Sequence, residues 1–138
     1  MPATFVRLEN RFSELVRLNK ELDAFASAEA LPTAMVNKMK IVLEETVMNI
    51  LSYAFETDAR ETDEITVALA NIDQLVTVTI RDTGKPFDPL KHGRGPLEAS
   101  IEDTEIGGLG IHLTKNLSDA ICYERKDRRN ILTITLKP

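Results

Sequence analysis

Ile65-Thr66-Val67-Ala68-Leu69-Ala70-Asn71-Ile72-Asp73-Gln74-Leu75-Val76-Thr77-Val78-Thr79-Ile80-Arg81-Asp82-Thr83-Gly84 is where the apolar pattern of the chain changes period. Ile65, Val67 and Leu69 alternate with small or polar residues, and Val76, Val78 and Ile80 do the same. Alternation with period two puts apolar side chains on one face of a strand, so two strands are expected, joined around Asn71 to Gln74. Arg81 to Gly84 then closes the second strand in a turn, where Asp and Gly have their usual roles. Strands apolar on one face need a second layer to bury that face.

The residues before this stretch supply that layer. Phe5 to Leu8 have room for one short strand, with Asn10 after it as a candidate N-cap. Phe12, Leu15, Leu18, Leu22 and Phe25 recur every three or four residues, which predicts a helix from about Arg11 to Ala26. A break at Glu29 to Pro32 separates it from a second helix, about Thr33 to Phe55, with Met39, Leu43, Val47, Ile50 and Ala54 on its buried side.

Beyond the hairpin, Leu90 to Ile106 lacks apolar periodicity and holds Gly93, Gly95, Pro96 and several charges, so it reads as a long functional loop. Gly107 to Gly110 opens a short helix ending near Ser118. Two more strands, about Asp119 to Arg125 and Asn130 to Lys137, are joined by the charged turn Lys126 to Arg129. The order of strand, two helices, hairpin, loop, helix and hairpin predicts an α+β two-layer sandwich with a largely antiparallel sheet. No repeat or long linker divides residues 1–138, so one domain is expected.

Bulk composition narrows the function. The 138 residues are 43% hydrophobic and 28% charged, the balance of a globular protein with a real core. No apolar run approaches the roughly 20 residues of a membrane span, and the first ten residues do not read as a signal peptide. Cys122 is alone, which excludes an intramolecular disulfide and fits a cytoplasmic location. A net charge of −5 and the absence of Trp argue against direct nucleic-acid binding. One nucleotide needs only a few cations and backbone N–H groups, and stays possible.

Three patches depart from what packing alone would select. Glu45 and Asn49 lie four apart in the second helix, on one face and one turn from each other. Such a pair is either a solvated polar face or a site. In a site, Asn49 is a neutral oxygen ligand for a hard cation such as Mg²⁺, and Glu45 is a carboxylate that takes a hydroxyl proton. Asp82-Thr83-Gly84-Lys85-Pro86-Phe87-Asp88-Pro89 follows a strand directly. A turn explains Gly84 and the prolines but not the whole string. Asp82 can accept a hydrogen bond from an exocyclic amine, as adenine offers, and Gly84 would let backbone approach a flat ring. Gly107-Gly108-Leu109-Gly110 weakens a helix start unless backbone must approach phosphate there. It is neither of the common phosphate-loop fingerprints.

Glu44-Glu45-Thr46-Val47-Met48-Asn49, then Asp82 to Pro89, a loop, and Gly107-Gly108-Leu109-Gly110-Ile111-His112-Leu113 together resemble the N box and two glycine boxes of the GHKL superfamily. That group of Bergerat-fold ATP-binding proteins includes histidine kinases, MutL and the gyrase ATPase subunit. The likeness covers about Met35 to Pro138 and is nearest to the anti-sigma-factor serine/threonine kinases. It implies a mixed, mostly antiparallel sheet with helices on one face. It also implies Mg²⁺ at Asn49, adenine at Asp82 with Gly84 beside the ring, phosphates at the backbone of Gly108 and Gly110, and a lid over Leu90 to Ile106. Thr133 falls near the place where the family often has a threonine close to adenine. Glu45 would be the base.

The same resemblance implies a STAS-type anti-anti-sigma protein as phosphate acceptor, a sigma factor as the sequestered partner, and a homodimer. The chain departs from the pattern in its lid. Glu102, Asp103 and Glu105 make the lid's end acidic, and Ile106 stands where relatives can carry a basic residue. Phosphate cations would then come from Lys91, Arg94, His92, Lys115 or Mg²⁺. Lys91 and Arg94 read equally well as solvated loop charges. His92 and His112 lack metal-ligand spacing. A non-catalytic ATP-binding regulatory module is the alternative reading.

Overall fold

The computed structural model describes residues 3–55, 63–91 and 114–138. Five strands form one sheet: β1 (Ala3–Leu8), β2 (Ile65–Ile72), β3 (Leu75–Asp82), β4 (Ala120–Lys126) and β5 (Arg129–Leu136), in the order β1-β2-β3-β5-β4. Every neighbouring pair is antiparallel, so the expected mixed sheet is antiparallel throughout the described strands.

The two hairpins end in two-residue loops, Ile72 facing Leu75 and Lys126 facing Arg129. Asp73 and Gln74 have φ of 51° and 68°, and Asp127 and Arg128 have 52° and 63°. Positive φ at both central residues is the twist-compatible hairpin turn, made here without glycine.

Alternation decides which side of the sheet is core. Val6 and Leu8, Ile65, Val67 and Leu69, Val76, Val78 and Ile80, and Leu132, Ile134 and Leu136 are all buried on one face. Helices α1 (Glu14–Ala28) and α2 (Thr33–Asn49) cover it. Met39, Leu43, Val47, Ile50 and Ala54 are buried, as their spacing predicts. Each of these side chains except Ala54 contributes about 1.5–3 kcal/mol by its burial.

Two helix boundaries differ from the sequence expectation. Asn10 does not cap α1; its amide donates to Asp63 at 3.0 Å, and α1 starts three residues later than expected, at Glu14. Phe12 therefore precedes the helix and is exposed instead of facing the core. At its other end α1 closes on Ala30, at φ 52°, with the Leu31 N–H reaching the Ala26 carbonyl. That six-to-one bond is the Schellman stop. The second helix does not run uniformly to Phe55: after Asn49 it widens into a π-helical turn, Ile50–Ala54.

Candidate nucleotide site

The π turn brings the end of the long helix against the turn that follows β3. Lys85 N–H donates to the Ala54 carbonyl at 2.7 Å. A Cβ at Gly84 would stand 2.7 Å from both the carbonyl carbon and the Cβ of Ala54. Glycine is required here by the approach of the π turn, a protein contact that the sequence did not reveal. On the other side of the turn, Thr83 N–H bonds the Glu64 carbonyl and the Thr83 hydroxyl accepts from Glu64 N–H at 2.9 Å. Both flanks of Asp82 are thereby pinned.

Asp82 is 3% exposed and follows Val76, Val78 and Ile80 on the core face of the sheet. Its Oδ1 accepts from Gly84 N–H and from the Asn130 side-chain amide, each at 2.9 Å. Among the described residues Oδ2 takes no hydrogen bond. Burial pushes the carboxyl above its ordinary range, opposed by the Asn130 amide, the Gly84 N–H and the charge of Arg125.

The cavity that Asp82 lines lies between α2 and the ends of β3, β4 and β5. Thr46, Asn49 and Ile50 form one wall, with Ile80, Tyr123, Asn130 and Leu132 beneath and Phe87, Pro89, Leu90 and Thr114 at the rim. Asn49 is 5% exposed and lines the cavity. Its carbonyl oxygen suits Mg²⁺, which takes one or two protein oxygens together with phosphates and water. No group of three acidic, His or Cys side chains stands ready to hold a metal by itself among the described residues. The donor set fits an ion brought in with a phosphate chain.

Glu45 stands one helical turn before Asn49 and is half-buried. Desolvation, and then the neighbouring charge of Glu44, raise its pKa above the ordinary carboxylate value. The Asp88 carboxylate accepts from Leu90 N–H at 2.9 Å and so starts the 3-10 turn Pro89–Lys91 at the cavity rim. Phe87 stacks on Tyr53 at 5.8 Å between ring centroids. The Pro-Phe-Asp-Pro string thus anchors the turn on the π helix and aims the chain over the cavity.

Thr133 is not brought to this site. Leu132 and Ile134 are buried in the core, so alternation turns Thr133 to the other face of the sheet, opposite Thr79. Lys115 donates to the Leu90 carbonyl at 2.9 Å, which ties the helical turn 114–117 to the rim. Gly108, Gly110, Arg94 and the side chain of Lys91 lie outside the described residues. Asn130, Tyr123 and Arg125 are site residues that sequence reasoning missed.

A hollow between the last helical turns and the strand ends, floored by a half-engaged carboxylate, marks a two-layer domain with a candidate ligand site. Residues 8–136 match the histidine kinase-like ATPase domain, and the chain belongs to that family of ATP-binding domains. It is similar to the serine/threonine-protein kinase BtrW of Bordetella bronchiseptica, 31% identical over 97 residues that make up 70% of this chain and 67% of that protein. It is similar also to the anti-sigma F factor of Bacillus licheniformis, 30% identical over 64% of this chain and 60% of the relative. The chain thus spans about two thirds or less of the length of these relatives. Its fold resembles the crystal structure of the RsbU and RsbW domains of Rv1364c from Mycobacterium tuberculosis. The TM-score is 0.69 at 14% identity, over 99% of this chain and 32% of that one.

Proposed function

We propose that this chain is an anti-sigma factor that binds Mg-ATP, phosphorylates a serine or threonine of a STAS-type anti-anti-sigma protein, and sequesters a sigma factor as a homodimer. The observation that carries the nucleotide part is that one cavity is lined both by a carboxylate, Asp82, whose two hydrogen bonds fall on one oxygen, and by the amide of Asn49. The names carried by its relatives, a serine/threonine kinase and an anti-sigma factor, support the protein-kinase part.

In this reading Asp82 Oδ2 accepts the adenine amino group and Gly84 holds the turn that presents it. Asn49 holds Mg²⁺, which neutralises phosphate charge when bound. Gly108 and Gly110 offer backbone N–H groups to the phosphates, with Lys91 and Arg94 as further cations. Glu45 receives the proton of the acceptor hydroxyl as that oxygen bonds the γ-phosphorus. The bond from the γ-phosphorus to its bridging oxygen breaks, ADP leaves, and Glu45 returns the proton to solvent. Positioning and charge neutralisation dominate such transfers. Burial helps Glu45 by making it a stronger base than an exposed carboxylate. New phosphate on the partner adds roughly −2 charge and weakens its docking.

One observation favours a non-catalytic ATP-binding module instead: Lys115, a candidate phosphate cation, is already engaged by the Leu90 carbonyl. Mass spectrometry of STAS proteins incubated with the chain and Mg-ATP separates the two. A phosphorylated serine or threonine is expected, with the rate reduced about a hundredfold or more in Glu45→Ala while ATP still binds. ATP binding without any transfer would leave the module.

A further inference from the structure

Asn130 has no place in the motifs, yet it is the most connected side chain of the site. It is 4% exposed and opposes Asp82 directly in the β3–β5 register. Its Nδ2 donates to Asp82 Oδ1 at 2.9 Å and to the Lys85 carbonyl at 2.8 Å. Its Oδ1 accepts from Phe87 N–H at 3.2 Å, from Arg125 Nη1 at 3.2 Å and from the Tyr123 hydroxyl. Two acceptors on one side and three donors on the other fix the orientation of the amide, since a flip would oppose like with like. Arg125 holds the assembly from β4, donating also to the Gly84 carbonyl at 2.7 Å.

We propose that Asn130 is the positioning residue for base selection: its amide holds Asp82 as a fixed hydrogen-bond acceptor, so the site takes adenine and turns away guanine. This rests on the assignment of adenine to Asp82. Adenine offers an N–H donor at its exocyclic position, where guanine offers an oxygen acceptor. An ionised Asp82 with Oδ1 tied down presents Oδ2, an acceptor only, and meets guanine's oxygen with repulsion. A protonated carboxyl could donate, and the discrimination would fade. Burial favours that protonated form, and the Asn130 amide opposes it, together with the Gly84 N–H and the charge of Arg125. Among the walls of the cavity, α2 presents the neutral Thr46 and Asn49 and β5 Asn130 itself, while β4 brings the neutral Tyr123 phenol and the Arg125 guanidinium, whose charge favours the ionised Asp82.

The test compares ATP and GTP affinity by calorimetry between pH 5 and pH 8. Asn130→Asp keeps the shape but sets an oxygen against two acceptors; Asn130→Ala simply removes the donor and serves if the first variant fails to fold. For a variant folded by circular dichroism, ATP affinity is expected to fall about tenfold at pH 7 and the ATP-over-GTP preference to narrow. The pH below which ATP binding fades is expected to move upward, which a packing defect alone would not cause. A folded variant with the wild-type preference and pH profile overturns the role of Asn130. Asp82→Asn runs beside it: if that variant binds ATP normally, the adenine assignment itself has failed and the inference falls with it. If it loses ATP while Asn130→Asp and Asn130→Ala behave as wild type, only the Asn130 inference is lost.

Discussion

Asp82 and Glu45 are both carboxylates lifted above their ordinary pKa by burial, but the consequences differ. For Asp82, a folded-state pKa above the unfolded one means that the ionised form is disfavoured by folding. Its stability cost appears as pH rises past the unfolded value and is complete above the folded one. Neutral pH therefore carries a cost at this site in the absence of ligand, as expected where function and stability compete. For Glu45, the secondary cause is Glu44, so Glu44→Gln is expected to lower its pKa. The acid limb of the transfer rate should then move to lower pH, with little change at pH 8; an unmoved limb would mean that Glu45 is not the titrating base. Gly84 answers to sterics. Gly84→Ala must displace Ala54, and urea denaturation is expected to show a loss of about 1–3 kcal/mol. A variant as stable as the wild type would show that the α2 end yields freely. Asp82 was legible in the sequence because an Asp, a Gly and a Pro-Phe-Asp-Pro tail at a strand end exceed what a turn needs. Thr133 was misplaced although the same alternation that turns Ile80 inward turns it outward, since Leu132 and Ile134 flank it.

At the scale of elements, hydrophobic period located β2, β3 and both long helices. It failed at ends, where local hydrogen bonds decide. Asn10 had a cap's chemistry but found Asp63, 53 residues away. The π turn left no mark in the periodicity, because Ile50 and Ala54 are buried in either helical form. Yet this turn sets the site: it widens the helix directly after Asn49 and lets the Ala54 carbonyl meet Lys85. Single π turns inside helices are frequent at functional sites, and this one joins the Mg²⁺ candidate to the adenine candidate.

For the molecule as a whole, the strand order β1-β2-β3-β5-β4 is the fact that one sequence could not supply. Only with β5 beside β3 does Asn130 face Asp82, and only with β4 outside β5 do Tyr123 and Arg125 close the network. The two-layer class followed from one-faced strands and one-faced helices; the antiparallel purity of the sheet did not. Everything proposed for this chain depends on adenine being read by Asp82. Calorimetry of the wild type and Asp82→Asn with ATP and with GTP, in excess Mg²⁺ at pH 7.5, addresses that dependence directly. The wild type is expected to bind ATP at least about tenfold more tightly than GTP, and Asp82→Asn to lose that binding while unfolding no more easily than the wild type. Equal affinity for the two nucleotides, or an Asp82→Asn variant that binds ATP as the wild type does, would contradict it.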